Sequence, residues 1–186
     1  FLKSKEPNFA KAEIHFSKVL DKHPNNQVAL NEYMALLTMR GAAEEAEQKI
    51  EQLTATNPNS PVVLDALGNY LSYKKEYSKA AQAYQRALDI DGGHPSLLRK
   101  LGTSYILSNQ PEKAADVFSR LVDEESTRTN ETSISTQHAK LELANALVKA
   151  KRCDESIEIL KQTNHPELRK DLSVVRRNYS ATCKGS

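Results

Sequence analysis

Residues 60–92 read SPVVLDALGNYLSYKKEYSKAAQAYQRALDIDG, and this stretch decides the fold. Apolar or small residues recur at steps of three and four in Leu64, Leu67, Gly68 and Leu71, and again in Ala80, Ala83, Tyr84, Ala87 and Leu88. Such spacing gives each of two successive helices one apolar stripe. Neither stripe can be buried within its own pair, so a helix pair of this kind needs neighbours.

The neighbours are present in the sequence. A shift of 34 residues carries Leu64, Leu67, Gly68, Leu71, Ala80, Tyr84 and Ala87 onto Leu98, Leu101, Gly102, Tyr105, Ala114, Phe118 and Leu121. The opposite shift carries them onto Leu30, Tyr33, Met34, Leu37, Ala46, Ile50 and Leu53, and one more step back leaves Ala12, Phe16, Val19 and Pro24, the second helix of a unit. Forward, Ser156 and Leu160 match Ala114 and Phe118 only if eight extra residues are allowed within Glu124–Ser135. The expected organisation is therefore a partial unit at 1–24, full units at 27–58, 61–92 and 95–126, an inserted loop at 127–134, a degenerate unit at 135–164 and a capping helix at 166–180. The inserted stretch EESTRTNETSIS has no apolar periodicity and reads as a mobile loop. The capping helix presents Leu168, Leu172 and Val175 on one side and Arg169, Lys170, Arg176 and Arg177 elsewhere.

Residue size fits the same plan. Gly68, Gly102, Ala80 and Ala114 are small where helices approach closely, and Tyr84 and Phe118 fill the space between successive pairs. Gly41 and Asn109, at the turn inside a pair, tolerate a left-handed backbone; Lys75 and Lys151 at the matching positions are poorer choices. Pro24, Pro58, Pro61, Pro95, Pro111 and Pro166 stand at or just before helix starts.

The order of large residue, Leu-Gly, Tyr, then Ala, Phe, Ala and Pro within 34 positions resembles the tetratricopeptide repeat family, over about nine tenths of the chain. The resemblance implies an all-α, right-handed superhelical solenoid of antiparallel helix pairs, about ten helices in all. It also implies a scaffold that holds a protein or peptide in a concave groove lined by the first helix of each unit. Carried over by position, the outward side of these helices presents Asn31, Ala35 and Thr38, then Asp65, Asn69 and Ser72, then Arg99, Thr103 and Ile106, then Leu141, Asn145 and Val148. The partner-binding candidates are Asn31, Ala35, Asp65, Asn69, Ser72, Arg99, Thr103 and Asn145. The amides at 31, 69 and 145 both donate and accept, which suits a peptide backbone. One subgroup of the family captures the C-terminal carboxylate of chaperones with Lys and Asn on successive first helices. Here Asp65 stands where that Lys would be and repels a carboxylate, with Arg99 and Lys100 left as anion contacts.

Composition narrows the function further. Twenty-six Lys and Arg against 24 Asp and Glu leave a formal charge of +2, with the signs interspersed, so no general field draws in nucleic acid. No apolar run approaches the roughly 20 residues that cross a bilayer, and the opening FLKSKEP lacks the apolar core of a secretion signal. His15, His23, His94, His138 and His165 are scattered, no Gly-rich phosphate loop is present, and neither a catalytic set nor a metal or cofactor site emerges; the chain reads as a non-enzyme. Cys153 and Cys183 read as a buried thiol and a tail thiol, with a disulfide in an oxidising compartment as the alternative. Other readings are a regulatory or substrate-presenting arm of a larger enzyme such as a glycosyltransferase, and a homo-oligomer that docks through the half-unit Phe9–Leu20. The irregular units look similar to bacterial scaffolds of envelope assembly and secretion, in periplasm or cytoplasm.

Overall fold

A computed structural model describes residues 9–183. The α-helices among them are α1 (Phe9–Lys22), α2 (Gln27–Met39), α3 (Ala43–Thr56), α4 (Pro61–Tyr73), α5 (Tyr77–Asp91), α6 (Pro95–Leu107), α7 (Pro111–Arg128), α8 (Ile134–Lys149), α9 (Cys153–Gln162) and α10 (Arg169–Cys183), with the starts of α2, α4 and α6, and likewise those of α3, α5 and α7, 34 residues apart. A single 3-10 turn, Pro166–Leu168, leads into α10. Helix α1 aligns with the second helices of the units, and residues 1–8 of the partial unit expected at 1–24 lie outside the described residues. Four helix pairs follow: α2/α3, α4/α5, α6/α7 and α8/α9.

Helix starts are set by side chains that satisfy the free amides of the first turn. The side chains of Asn26, Ser60 and Ser133 accept from the amides of Ala29, Val63 and Thr136. His94 and His165 do the same work through Nδ1, accepting from Ser96 and Glu167 at 3.3 Å. All four turns within pairs share one geometry. Gly41, Lys75, Asn109 and Lys151 lie in the left-handed region at φ 76°, 62°, 59° and 59°. The amide that follows each of them reaches back to the carbonyl of Leu37, Leu71, Tyr105 or Leu147 at 2.8–2.9 Å, which closes the helix end and reverses the chain.

Burial runs along the row with no single centre. One apolar cluster joins α1 to α4 through Leu20, Leu30, Leu37, Ile50 and Val63; a second joins α4 to α8 through Leu64, Tyr84, Leu98, Phe118 and Leu143. The pairing of small with large residues is steric. A Cβ added at Gly68 would lie within 2.7 Å of three Tyr84 ring carbons, and one added at Gly102 within 3.0 Å of three Phe118 ring carbons.

Two expectations are corrected. The inserted stretch is half helix, since α7 continues through Arg128. Its hydroxyls bond to the helix itself, with Ser126 and Thr127 donating to the Asp123 carbonyl and Thr129 to that of Glu125. Cys153 and Cys183 are not separate thiols: they form a disulfide with their Cα atoms 5.7 Å apart. Leu168 of the 3-10 turn and Leu172 and Val175 of α10 pack onto Leu141, Ala144 and Leu160, and running back along α9 helix α10 brings its last residue to the first residue of that helix.

Candidate functional site

All eight candidates lie on first helices: Asn31 and Ala35 on α2, Asp65, Asn69 and Ser72 on α4, Arg99 and Thr103 on α6, and Asn145 on α8. The structure sorts them into two kinds. Ala35 and Thr103 are exposed, while the others bond to residues of neighbouring helices.

Asp65 departs furthest from its expected place. It is 2% exposed, turned toward α6 and α2: Lys100 Nζ donates to both of its oxygens at 2.6 and 2.8 Å, and Gln27 Nε2 donates at 3.2 Å. Its charge therefore meets Lys100 and not a partner, and Lys100 is no free anion contact. Arg99 is bound in the same way, its Nε donating to both oxygens of Glu142 on α8 at 2.9 and 3.2 Å with Glu125 at 3.8 Å from Nη2. The two ion pairs repeat one register, spanning 35 and 43 residues, which differ by the eight inserted residues. His138 joins the second pair, with Nδ1 3.6 Å from Glu142. The Glu142 carboxylate raises the imidazole pKa through that contact and its field, against the opposing effects of partial burial and Arg99.

A neutral network links α5, α4 and α2, on the N-terminal side of the two ion pairs. Tyr84 reaches through from α5, and its hydroxyl donates to Asn69 Oδ1 at 2.9 Å and lies 3.4 Å from Ser72 Oγ. Burial pushes the phenol up to about 12, opposed by the Ser72 bond and reinforced by Asp65. Asn69 Nδ2 then donates to Asn31 Oδ1 at 3.4 Å, which leaves both Asn31 amide hydrogens free to donate. Beside them a cavity of about 250 Å³ opens between α2 and α4, lined by Asn31, Ala35, Thr38, Asn69 and Tyr73 among others. At the far end Asn145 accepts from Asn178 of α10 at 3.5 Å, and Leu141 and Val148, expected to line the groove, are buried.

A family model described as tetratricopeptide repeat matches residues 5–70 and 73–129. The chain belongs to the tetratricopeptide repeat family. Tetratricopeptide folds are protein-interaction scaffolds and generally non-catalytic, and this array has that architecture. Among solved structures, it is similar to MamA, at 20% identity over 84% of this chain and 81% of that one with a TM-score of 0.64. It is also similar to YrrB, a repeat protein "with an unusual peptide-binding site", at 16% identity over 91% and 92% with a TM-score of 0.61. PilF of Pseudomonas aeruginosa follows at 18% identity over 96% and 86%, with a TM-score of 0.59. At these identities the likeness is one of fold. The search of curated proteins returned no match. No helix among the described residues of the tetratricopeptide array is long and apolar enough to cross a membrane.

The sequence points to Lys100 only as an anion contact and does not place Glu142, Gln27, Tyr84 or Asn178 on this face. A signal for the charged ones exists: opposite charges at a separation of 35, or 43 across the insertion, on consecutive first helices. Tyr84 carried no such signal, because its ring satisfies the repeat motif while its hydroxyl serves the opposite face.

Proposed function

We propose that this array holds a segment of a partner protein along the face of α2, α4, α6 and α8, with contact centred on Asn31, Ala35, Asn69 and Thr103. The cavity between α2 and α4 carries the reading: it is open, lined by Ala35, Ala66, Met34 and Tyr70 among others, and bordered by the Asn31 and Asn69 amides, which can pair with a peptide backbone. Asp65 and Arg99 support this face from within and do not touch the partner, since their bonding capacity is taken by neighbouring helices. The Cys153–Cys183 bond favours work in an oxidising compartment such as a periplasm or secretory lumen.

Ala35→Arg and Thr103→Arg each place a long cation on an exposed helical position whose side chain forms no hydrogen bond, so both variants should keep the wild-type melt. In crosslinking capture, partners held by the wild-type chain should be missing from both variants. Equal recovery of the same partners by all three chains would remove this face from consideration.

A further inference from the structure

A second cavity, of about 490 Å³, opens where α7, α8 and α9 meet, and it shares no residue with the face described above. Leu143 and Leu147 of α8 and Ile159 of α9 supply its apolar lining. The repeat shows what the matching place holds one unit earlier. The 34-residue shift, with the eight inserted residues added from α8 onward, sets Ser119 against Gln85 and Leu147 against Tyr105. Both side chains of the later unit are the shorter. Tyr105 is partly buried against the apolar cluster, and Lys113 Nζ of α7 lies 5.5 Å from its ring centroid. Burial, and after it the field of Asp89 on α5, push its phenol pKa up. The Tyr105 ring thus lies among α5, α6 and α7, where the later unit has its cavity among α7, α8 and α9.

We propose that this cavity takes an aromatic side chain from a basic segment of a partner protein. The site is separate from the first-helix face and stands or falls without it.

Size selects the ring. Leu147 lacks the ring that Tyr105 brings, so an incoming aromatic restores the packing of the preceding unit, and such rings anchor interfaces where they fill apolar pockets. Arg152 on the wall can lie over that ring as Lys113 lies over Tyr105. Charge selects the flanks. Asp116, Asp154, Glu155 and Glu158 border the cavity, where the preceding unit has Gln82, Glu112, Lys113 and Asp116. A glutamine and a lysine there are carboxylates here. Arg152 pairs with Glu155 at 2.6 Å and Asp116 at 3.7 Å, and Lys161 with Glu158 at 2.6 Å. Four carboxylates therefore meet two cations, and Lys or Arg beside the incoming ring complements the excess.

The probe is a labelled synthetic peptide with one central Tyr between pairs of Lys. Its controls carry Ala or Leu for the Tyr, or Gln for each Lys. Fluorescence anisotropy with the full chain should show the Tyr peptide binding about tenfold or more tightly than the Ala one, and more tightly than the Leu one. Leu147→Tyr supplies from within the ring that Tyr105 supplies one unit earlier. It should remove the difference between Tyr and Ala peptides while the melting temperature holds or rises. Ser119→Gln, at an exposed position of the same lining, should weaken the Tyr peptide even if Leu147→Tyr fails to fold. Glu158→Lys, also exposed, should weaken the Lys-flanked peptide and leave the Gln-flanked one unchanged. Ala35→Arg and Thr103→Arg should bind the probe like wild type. Equal binding of the Tyr and Ala peptides overturns the proposal, as does a folded Leu147→Tyr chain that still tells them apart. A Leu peptide as tight as the Tyr one overturns the choice of an aromatic, and a Glu158→Lys chain that binds as before overturns the charge rule. If wild type sediments as two chains and Leu147→Tyr as one, a second copy fills the cavity and the partner segment is ruled out.

Discussion

Lys75 and Lys151 occupy a left-handed backbone at φ 62° and 59°, where a side chain costs about 1–2 kcal/mol against an unstrained position. The same turn is made by Gly41 without that cost. Lys75→Gly and Lys151→Gly should each stabilise the chain by about 0.5–1 kcal/mol after the entropy of the added glycine, read as a rise of a few degrees in melting temperature. A fall in either variant would show that the lysine stem makes up for its strained backbone. Asp65 is the opposite kind of position, a buried carboxylate whose removal strands Lys100. Asp65→Ala should cost about 2–3 kcal/mol in urea unfolding, and adding Lys100→Met should recover much of it, because an isolated half-buried cation is worse than none.

Among the helices, α8 carries a small dependence on pH. Glu142 raises the pKa of His138 above the ordinary histidine value of about 6.5. The folded state therefore binds the proton more tightly, and the stability this adds is full below that value and is lost as pH rises through the folded pKa. The melting temperature should fall more from pH 6 to pH 8 in wild type than in His138→Gln; equal falls would mean that the contact adds nothing. Because the side chain is nearly half exposed, the difference is small. Helix α10 depends on its covalent bond. It buries Leu172 and Val175 against its neighbours, with Tyr179 partly covered beside them, and Cys153–Cys183 closes a 30-residue span. Reduction should cost about 2–4 kcal/mol and speed amide exchange in α10 while α4 to α7 keep their protection, because each unit contacts only the next. Uniform loss of protection along the chain would contradict this.

For the molecule as a whole, the sequence carried the row of helix pairs because burial and sterics both obey one period: Gly68 faces Tyr84 and Gly102 faces Phe118 at the same offset. It carried the face of first helices for the same reason. It did not show which polar groups on that face are free, since Asp65 and Arg99 look like ligands in one dimension and prove to bond across units only in three. The disulfide stands in the sequence only as the second reading of two cysteines, because the reversal of α10 along α9, and not their separation, brings them together.

The bonds from Gln27 to Asp65 to Lys100, from Asn69 to Asn31 and from Arg99 to Glu142 all run between first helices, along one side of the coil. Uncoiling lengthens that side and pulls on every one of them, while tighter winding slackens them. The solenoid is thus a spring that resists stretching more than compression, and the stiffness has a chemical origin. Added electrolyte should loosen the Arg99 end first, where the ion pair is nearer to water, and leave the Asp65 end taut.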